Sequence, residues 1–302
     1  MLRRLQKGLK DRVHLAADFL TYSAFLAVVG LLRLLPYKAR VQTGSWLFAH
    51  MIAPLAGYRR RIDQNLRLIF PQMPDTRRKT LVSDTARNIG RMVIELLSPA
   101  DIKRLVAEVP ISGPGWAAMQ EARKVRRPII LVSGHFGNYD VARAGVIAQG
   151  FDVGGIYRPL NNRFFNRYYL RNISMIGEPL FERGRRGMGE MVRFLKAGGT
   201  VAVLIDQHMH KGEPLTFMGQ VAQTALSAAE LALKYDALLV PGYGIRRADG
   251  LSFDMIFEEP LPHTTALEMT QALNDSLEVR VREHVDQWLW IPRRWKGNPR
   301  DA

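Results

Sequence analysis

The spacing of apolar positions changes near residue 128. From about residue 40 to 125 they recur at helical intervals, broken at Pro54-Leu55-Ala56-Gly57, across Pro71–Pro74 and at Gly113-Pro114-Gly115. Proline removes a backbone donor and glycine frees the chain to turn, so these clusters predict helix ends. Beyond 128, short apolar runs alternate with helical stretches. Ile129–Ser133, Val153–Tyr157, Thr200–Ile205 and Ala237–Tyr243 are predicted strands. Gly187–Ala197 is a predicted helix that stops at Gly198-Gly199. Ser227 and Glu230 have capping-box spacing for a helix ending near Tyr235. Thr265 and Glu268 repeat that spacing ahead of an amphipathic helix through Leu267, Leu273, Leu277 and Val281. This alternation predicts an α/β fold, with a central, mostly parallel sheet flanked by helices. No internal repeat or low-complexity segment interrupts it.

The N-terminus follows a different pattern. Arg3, Arg4, Lys7, Lys10 and Arg12 precede an uncharged stretch from Phe19 to Leu32. That stretch is shorter than the ~20 apolar residues a spanning helix needs. Extending it to Leu15–Leu35 takes in Asp18 and Arg33, which are costly near a bilayer centre. The charge order resembles a signal peptide, but no small-residue cleavage site follows. A membrane-associating helix, lying in the interface or marginally spanning, is expected; a buried core helix is the alternative. Basic residues on both flanks leave its orientation open. The chain thus divides into an anchor at 1–40 and a single α/β domain at 41–302. Within the domain, 41–125 is a helical lead-in, 128–260 a sheet core, and 264–296 a C-terminal helix and tail.

Composition narrows the chemistry. With 302 residues, 47% of them apolar, the chain can bury a sizeable core and is not disordered. Its 43 Lys and Arg against 28 Asp and Glu leave a net charge of +15, which calls for a polyanionic partner: nucleic acid, an anionic membrane, a phosphorylated lipid or an acidic protein. The absence of cysteine excludes disulfides, cysteine-ligated metals and a cysteine nucleophile.

Candidate chemistry gathers at predicted strand ends. Ser133-Gly134-His135-Phe136-Gly137-Asn138-Tyr139-Asp140 joins the first strand to a helix. With His135 in the turn and Asp140 in the first helical turn, the carboxylate can hold one imidazole nitrogen and leave the other to accept a proton. The same residues also suit an ordinary turn followed by an acid at a helix N-terminus. Arg158 ends the second strand on the same sheet edge. Arg163, Arg167 and Arg171 share one helix face beside the pairs Phe164/Tyr168 and Phe165/Tyr169. They suit either an anion site with aromatic walls or a solvated basic face over a packed stripe. Arg183, Arg185 and Arg186 lie in a glycine-punctuated loop before a helix, where a phosphate could sit. Asp206, His208 and His210 alternate after the third strand, but no further cluster with metal spacing accompanies them. Hydrolase GxSxG and zincin HExxH patterns do not occur.

Taken together, these blocks resemble the glycerophospholipid and lysophospholipid acyltransferase superfamily. Within it they resemble the lipid A late acyltransferases most. The matching stretches, in order, are SGHFGNYD, Tyr157-Arg158-Pro159, Arg183 to Arg186, LKAGGTVAVLIDQ, LTFMGQVAQTALSAAELALKYDALLVP and QWLWIPRRWK. The resemblance implies a Gram-negative inner-membrane enzyme with its active site on the cytoplasmic side. It would move a fatty acyl chain from acyl carrier protein to a hydroxyl of an anionic lipid A precursor. It implies His135 as general base with Asp140 as its orienter. It also implies substrate contacts from Asn138, Arg158, Arg183, Arg186, Asp206 and Gln207. Direct transfer without an acyl-enzyme follows, with loop amides near Gly137 or Arg158 facing the oxyanion. No metal, organic cofactor or nucleic acid is implied. Pro292 stands where the family usually has histidine, which leaves the C-terminal segment without a role. Two alternatives stay open: the same chemistry on another membrane lipid, and a non-catalytic basic protein that binds membranes or nucleic acid.

Overall fold

The computed structural model describes residues 2–296, with side chains from His14 onward. The first part is helical: α1 (Leu2–Arg33), α2 (Tyr37–Leu47), a π turn (Phe48–Ile52), α3 (Ala53–Leu55), α4 (Tyr58–Ile69), α5 (Asp75–Leu96) and α6 (Pro99–Ala107). Strands and helices then alternate: β1 (Ile111–Ser112), α7 (Pro114–Lys124), β2 (Ile129–Ser133), α8 (Tyr139–Ala148), β3 (Val153–Tyr157), α9 (Arg163–Ile176), β4 (Leu180–Glu182), α10 (Arg185–Lys196) and β5 (Thr200–Leu204). They continue with β6 (Glu213–Phe217), β7 (Gln220–Thr224), α11 (Ser227–Tyr235), β8 (Leu238–Arg246), β9 (Phe253–Phe257) and α12 (Ala266–Glu283).

One seven-stranded sheet has the order β1-β9-β8-β2-β5-β3-β4. The run β8-β2-β5-β3-β4 is parallel, and β9 pairs antiparallel to β8. This is the expected mostly parallel α/β sheet. In β2 successive side chains face opposite sides, and both sides are covered. Ile129 and Leu131 join one core with α6, α7 and α8. Ile130 and Val132 join another with α10, α11 and α12. A third core fills the space between α4, α5, the β6–β7 hairpin and the tryptophans of the tail.

Local expectations fared unevenly. Thr265 and Glu268 form their capping box at α12. The Ser227–Glu230 box does not form, because Ser227 is already the first helical residue and Leu226 stands at the cap. The β6–β7 hairpin was not anticipated. It turns through Met218 and Gly219, both at positive φ, as a two-residue primed turn requires.

α2 packs on α5, and α1 ends at Arg33. Its segment His14–Arg33 is long and apolar enough to cross a membrane, and little of it is buried. Phe19, Tyr22 and Phe25 stack on Phe164, Phe165 and Tyr168 of α9. The aromatic stripe of α9 therefore holds α1 and does not wall an anion site. Arg163, Arg167 and Arg171 are exposed on α9.

The side chains of Glu95 and Arg246 form a buried ion pair joining α5 to β8. Glu95 also accepts from Asn138 Nδ2 at 2.8 Å, so the pair supports the loop after β2. Removing one partner of a buried pair strands the other charge in a medium that solvates it poorly. Arg246→Met is expected to cost about 3–5 kcal/mol of stability in chemical denaturation. A loss below about 1 kcal/mol would show that the pair does not brace this junction.

Candidate active site

Sheet register builds the site. β2 and β5 are parallel neighbours with Ser133 opposite Leu204. Two residues beyond each strand end stand His135 and Asp206, 71 positions apart in sequence and side by side in space. His135 Nδ1 lies 2.7 Å from Asp206 Oδ1, and the His135 backbone N–H donates to Asp206 Oδ2 at 2.7 Å. The Trp288 indole N–H donates to the same Oδ2 at 2.8 Å. Bonded to a carboxylate, Nδ1 carries the hydrogen, so Nε2 presents a lone pair. Gln207 Nε2 is 3.4 Å from that nitrogen, a long contact that an incoming hydroxyl can replace.

The loop between His135 and α8 is pinned along its length. Gly137 has φ +55°, and a Cβ there would lie 2.2 Å from the Gly244 carbonyl oxygen, so only glycine fits. Its N–H donates to Gln287 O at 2.9 Å, and the Leu289 N–H donates to His135 O at 2.9 Å. The Gly137 amide is thus already engaged and does not face an oxyanion, contrary to expectation. Asn138 is also reassigned. It is buried, its Oδ1 caps α8 by accepting from the Asp140 N–H, and its Nδ2 is bound to Glu95. Both ends of its side chain hold the loop.

Asp140, expected to orient the imidazole, does not occupy that position; Asp206 does. Asp140 sits in the first turn of α8, partly buried, 3.9 Å from Arg143 Nη1. The spacing favoured Asp140 because it is near in sequence, but its carboxylate pairs with Arg143 and acts on the ring only through its charge. The electrostatics separate the two acids. Burial pushes the Asp206 carboxyl up, yet the imidazole, the His135 amide and the Trp288 indole together hold it below the ordinary carboxylate range. Burial pushes Asp140 up, and Arg143 and His135 offset this only in part, so it ends above that range. Burial pulls His135 down, but the charge and hydrogen bond of Asp206, aided by Asp140, raise it above its usual value.

The remaining predicted residues fall at different distances from this centre. Arg158 follows β3 on the same sheet edge and is exposed. Arg183 is exposed, with Nη2 3.6 Å from Met209 Sδ in the loop after Asp206. Arg186 is turned to solvent and pairs with Glu190. His208 and His210 meet edge to face, and Asp206 is committed to His135 and Trp288; among the described residues no group of three metal-ligating side chains converges.

Between the sheet and helices α8 and α9 lies a small, mostly apolar cavity of about 70 Å³. Leu131, Tyr139, Asp140, Gly155, Tyr169 and Leu180 are among its walls. That is room for a few water-sized groups. The Tyr139 ring packs against the edge of His135.

Sequence reasoning missed the tail. Trp288, Trp290 and Trp295 cluster with Phe217, and buried Arg294 binds Gln223 O and Thr224 Oγ1 at 2.7 and 2.6 Å. Burial pulls the Arg294 pKa down to about 10, partly countered by Asp206, so it stays charged at neutral pH. Pro292 contributes its carbonyl to Asn65. The dense tryptophan and arginine run was the available signal; its target was not.

A histidine held by a carboxylate at the edge of a parallel sheet, next to an apolar cavity, is found in a chain with clear relatives. A lipid A biosynthesis acyltransferase of Haemophilus influenzae is 22% identical over 286 residues, covering 88% of this chain and 86% of the relative. The lipid A biosynthesis lauroyltransferase of Escherichia coli is 23% identical over 285 residues, covering 91% and 90%. The palmitoleoyltransferase of the same organism is 26% identical over 286 residues, with the same coverage. The family described as bacterial lipid A biosynthesis acyltransferase matches residues 7–297, nearly the whole length, and the chain belongs to it.

Proposed function

We propose that this protein transfers a fatty acyl chain from acyl carrier protein to a hydroxyl of a lipid A precursor, at the cytoplasmic face of the inner membrane. The observation that carries this reading is the His135 imidazole, fixed through Nδ1 by Asp206 at the C-terminal edge of the parallel sheet and packed on Tyr139, which walls an apolar cavity. A free hydroxyl is a poor nucleophile until a base removes its proton. Nε2 takes that proton as the hydroxyl oxygen attacks the thioester carbonyl carbon. The resulting imidazolium is bonded to the Asp206 carboxylate and has the Asp140 charge nearby, which offsets its charge. The tetrahedral intermediate then expels the thiolate of the carrier, which takes the proton back from Nε2. An ester and a free thiol result, with no acyl-enzyme.

The cavity is small, but its apolar walls favour methylene groups over water, so it marks where part of the acyl chain sits. Arg158, on the open sheet edge, is the donor best placed for the oxyanion or an acceptor phosphate, since the Gly137 amide is engaged. Arg183 is a second candidate for an acidic group. The net charge of +15 suits both an acidic carrier protein and a phosphorylated acceptor.

The test supplies acyl carrier protein loaded with chains of different length and a tetraacylated lipid A precursor, read by mass spectrometry. An added acyl mass is expected, lost by about 10²–10⁴-fold in His135→Ala. Acylation of a glycerophospholipid instead would keep the chemistry and overturn the acceptor.

The two acids are expected to differ. Asp206→Asn disturbs the tautomer and is expected to lower kcat by about 10³–10⁴-fold, as for the buried aspartate of a serine-protease triad. Asp140→Asn is expected to cost less, by about tenfold or under, because it removes a nearby charge and no bond to the ring. An equal or larger loss in Asp140→Asn, with the fold intact by thermal melting, would reverse these roles.

The reaction needs neutral imidazole, so kcat/KM falls as pH drops through the His135 pKa. That acid limb is expected above the ordinary histidine value of about 6.5. Removing the Asp206 charge destabilises the imidazolium, so Asp206→Asn is expected to move the limb to lower pH. A limb that moves up or stays fixed would contradict the assignment.

A further inference from the structure

The segment from α2 through the π turn to α3 has two unlike faces. Its inner face, with Val41, Gly44, Phe48, Ala49 and Ala53, is buried. A Cβ on Gly44 would lie 2.2 Å from Ile94 Cγ1, and one on Gly90 2.7 Å from Phe48 Cβ. Two helices in such close contact leave no room to shift, so the outer face is held rigidly. That outer face carries Trp46, Met51, Ile52 and Leu55, which are 49%, 52%, 50% and 88% exposed. The π turn lies in the middle of it. His50, Met51 and Ile52 are exposed there in succession.

Isolated exposed apolar residues are ordinary, but a rigid cluster of four large ones marks a contact surface. Its flanks indicate what it contacts. Gly57, at φ +70°, ends the tip and Tyr58-Arg59-Arg60-Arg61 follows at once, with Arg60 and Arg61 exposed. At the other end of α2, the close of α1 exposes Leu31 and Leu34. A tryptophan beside aliphatic residues, bordered by arginines, has the composition of a segment lying at an anionic lipid surface.

We infer that residues 46–55 form a second membrane contact, inserting the tip of this segment into the headgroup and upper acyl layer of an anionic bilayer independently of α1. A body tethered by α1 alone can swivel about it. A second, rigid contact some 16 Å along α2 from the end of α1 removes that freedom. The inference does not depend on the reaction proposed above.

The test reads Trp46 directly, so that binding through α1 cannot mimic it. The full chain is reconstituted in phosphatidylethanolamine–phosphatidylglycerol vesicles, with or without bromine on the acyl chains. The difference between the protein and Trp46→Phe isolates the Trp46 signal from Trp116 and the buried Trp288, Trp290 and Trp295. Brominated chains are expected to quench that signal about twofold or more, as for an aromatic residue at the interface. Ile52→Glu/Leu55→Glu, both at exposed positions, is expected to abolish the quenching with no change in the thermal melt. Equal Trp46 signals in brominated and plain vesicles would overturn the inference. If aqueous iodide then reached Trp46, the tip would be in water; if not, a protein partner or second copy would cover it. Quenching that persists in the double variant would also overturn it.

Discussion

The carboxylate of Asp206 is the point on which the site depends. It is buried, a costly place for a charge, and three N–H groups compensate that cost. One is the imidazole of His135, one the backbone of the same residue, and one the indole of Trp288. These donors come from the loop after β2 and from the tail after α12, while the acid itself follows β5. A single buried anion therefore joins parts of the chain that are far apart in sequence. It also decides which imidazole nitrogen is free, and so whether the histidine can act as a base.

Other contacts make this arrangement rigid. The Gly137 and Leu289 amides lace the histidine loop to the tail, and Asn138 ties it to Glu95 and Arg246. The tail is in turn fixed by its tryptophans against Phe217 and by Arg294 against the β6–β7 hairpin. The hairpin and tail thus support the histidine loop from behind. The cavity lies on the other side, between the sheet and α8 and α9. Because α9 also carries α1 on its aromatic stripe, the apolar N-terminal helix sits against an element that walls the cavity.

Much of the fold was legible because local pattern encodes local structure. Ile129–Ser133 and Val153–Tyr157 are strands at the predicted bounds, and the box at Thr265 opens a helix as its spacing requires. His135 was legible as the candidate base because the family resemblance singled it out; the residue pattern alone also suited an ordinary turn. Its partner was not. The nearest acid, Asp140, lies within the motif, whereas Asp206 reaches His135 only because β5 lies beside β2, and strand order is not written in any local run. Asn138 was misassigned for the same reason, since its bond to Glu95 spans 43 positions. Trp288 was invisible as a donor because its acceptor is 82 residues away. The β6–β7 hairpin did leave a trace, the Met218-Gly219 turn between alternating runs, which was passed over.

The most direct test of this account is the protonation of the His135 ring, observed by nitrogen NMR of histidine-labelled protein at a pH where the ring is neutral. Hydrogen on Nδ1, with a strongly downfield proton that persists in Asp140→Asn and disappears in Asp206→Asn, is the predicted result. Hydrogen on Nε2, or an Nδ1 proton lost in Asp140→Asn and kept in Asp206→Asn, would contradict it.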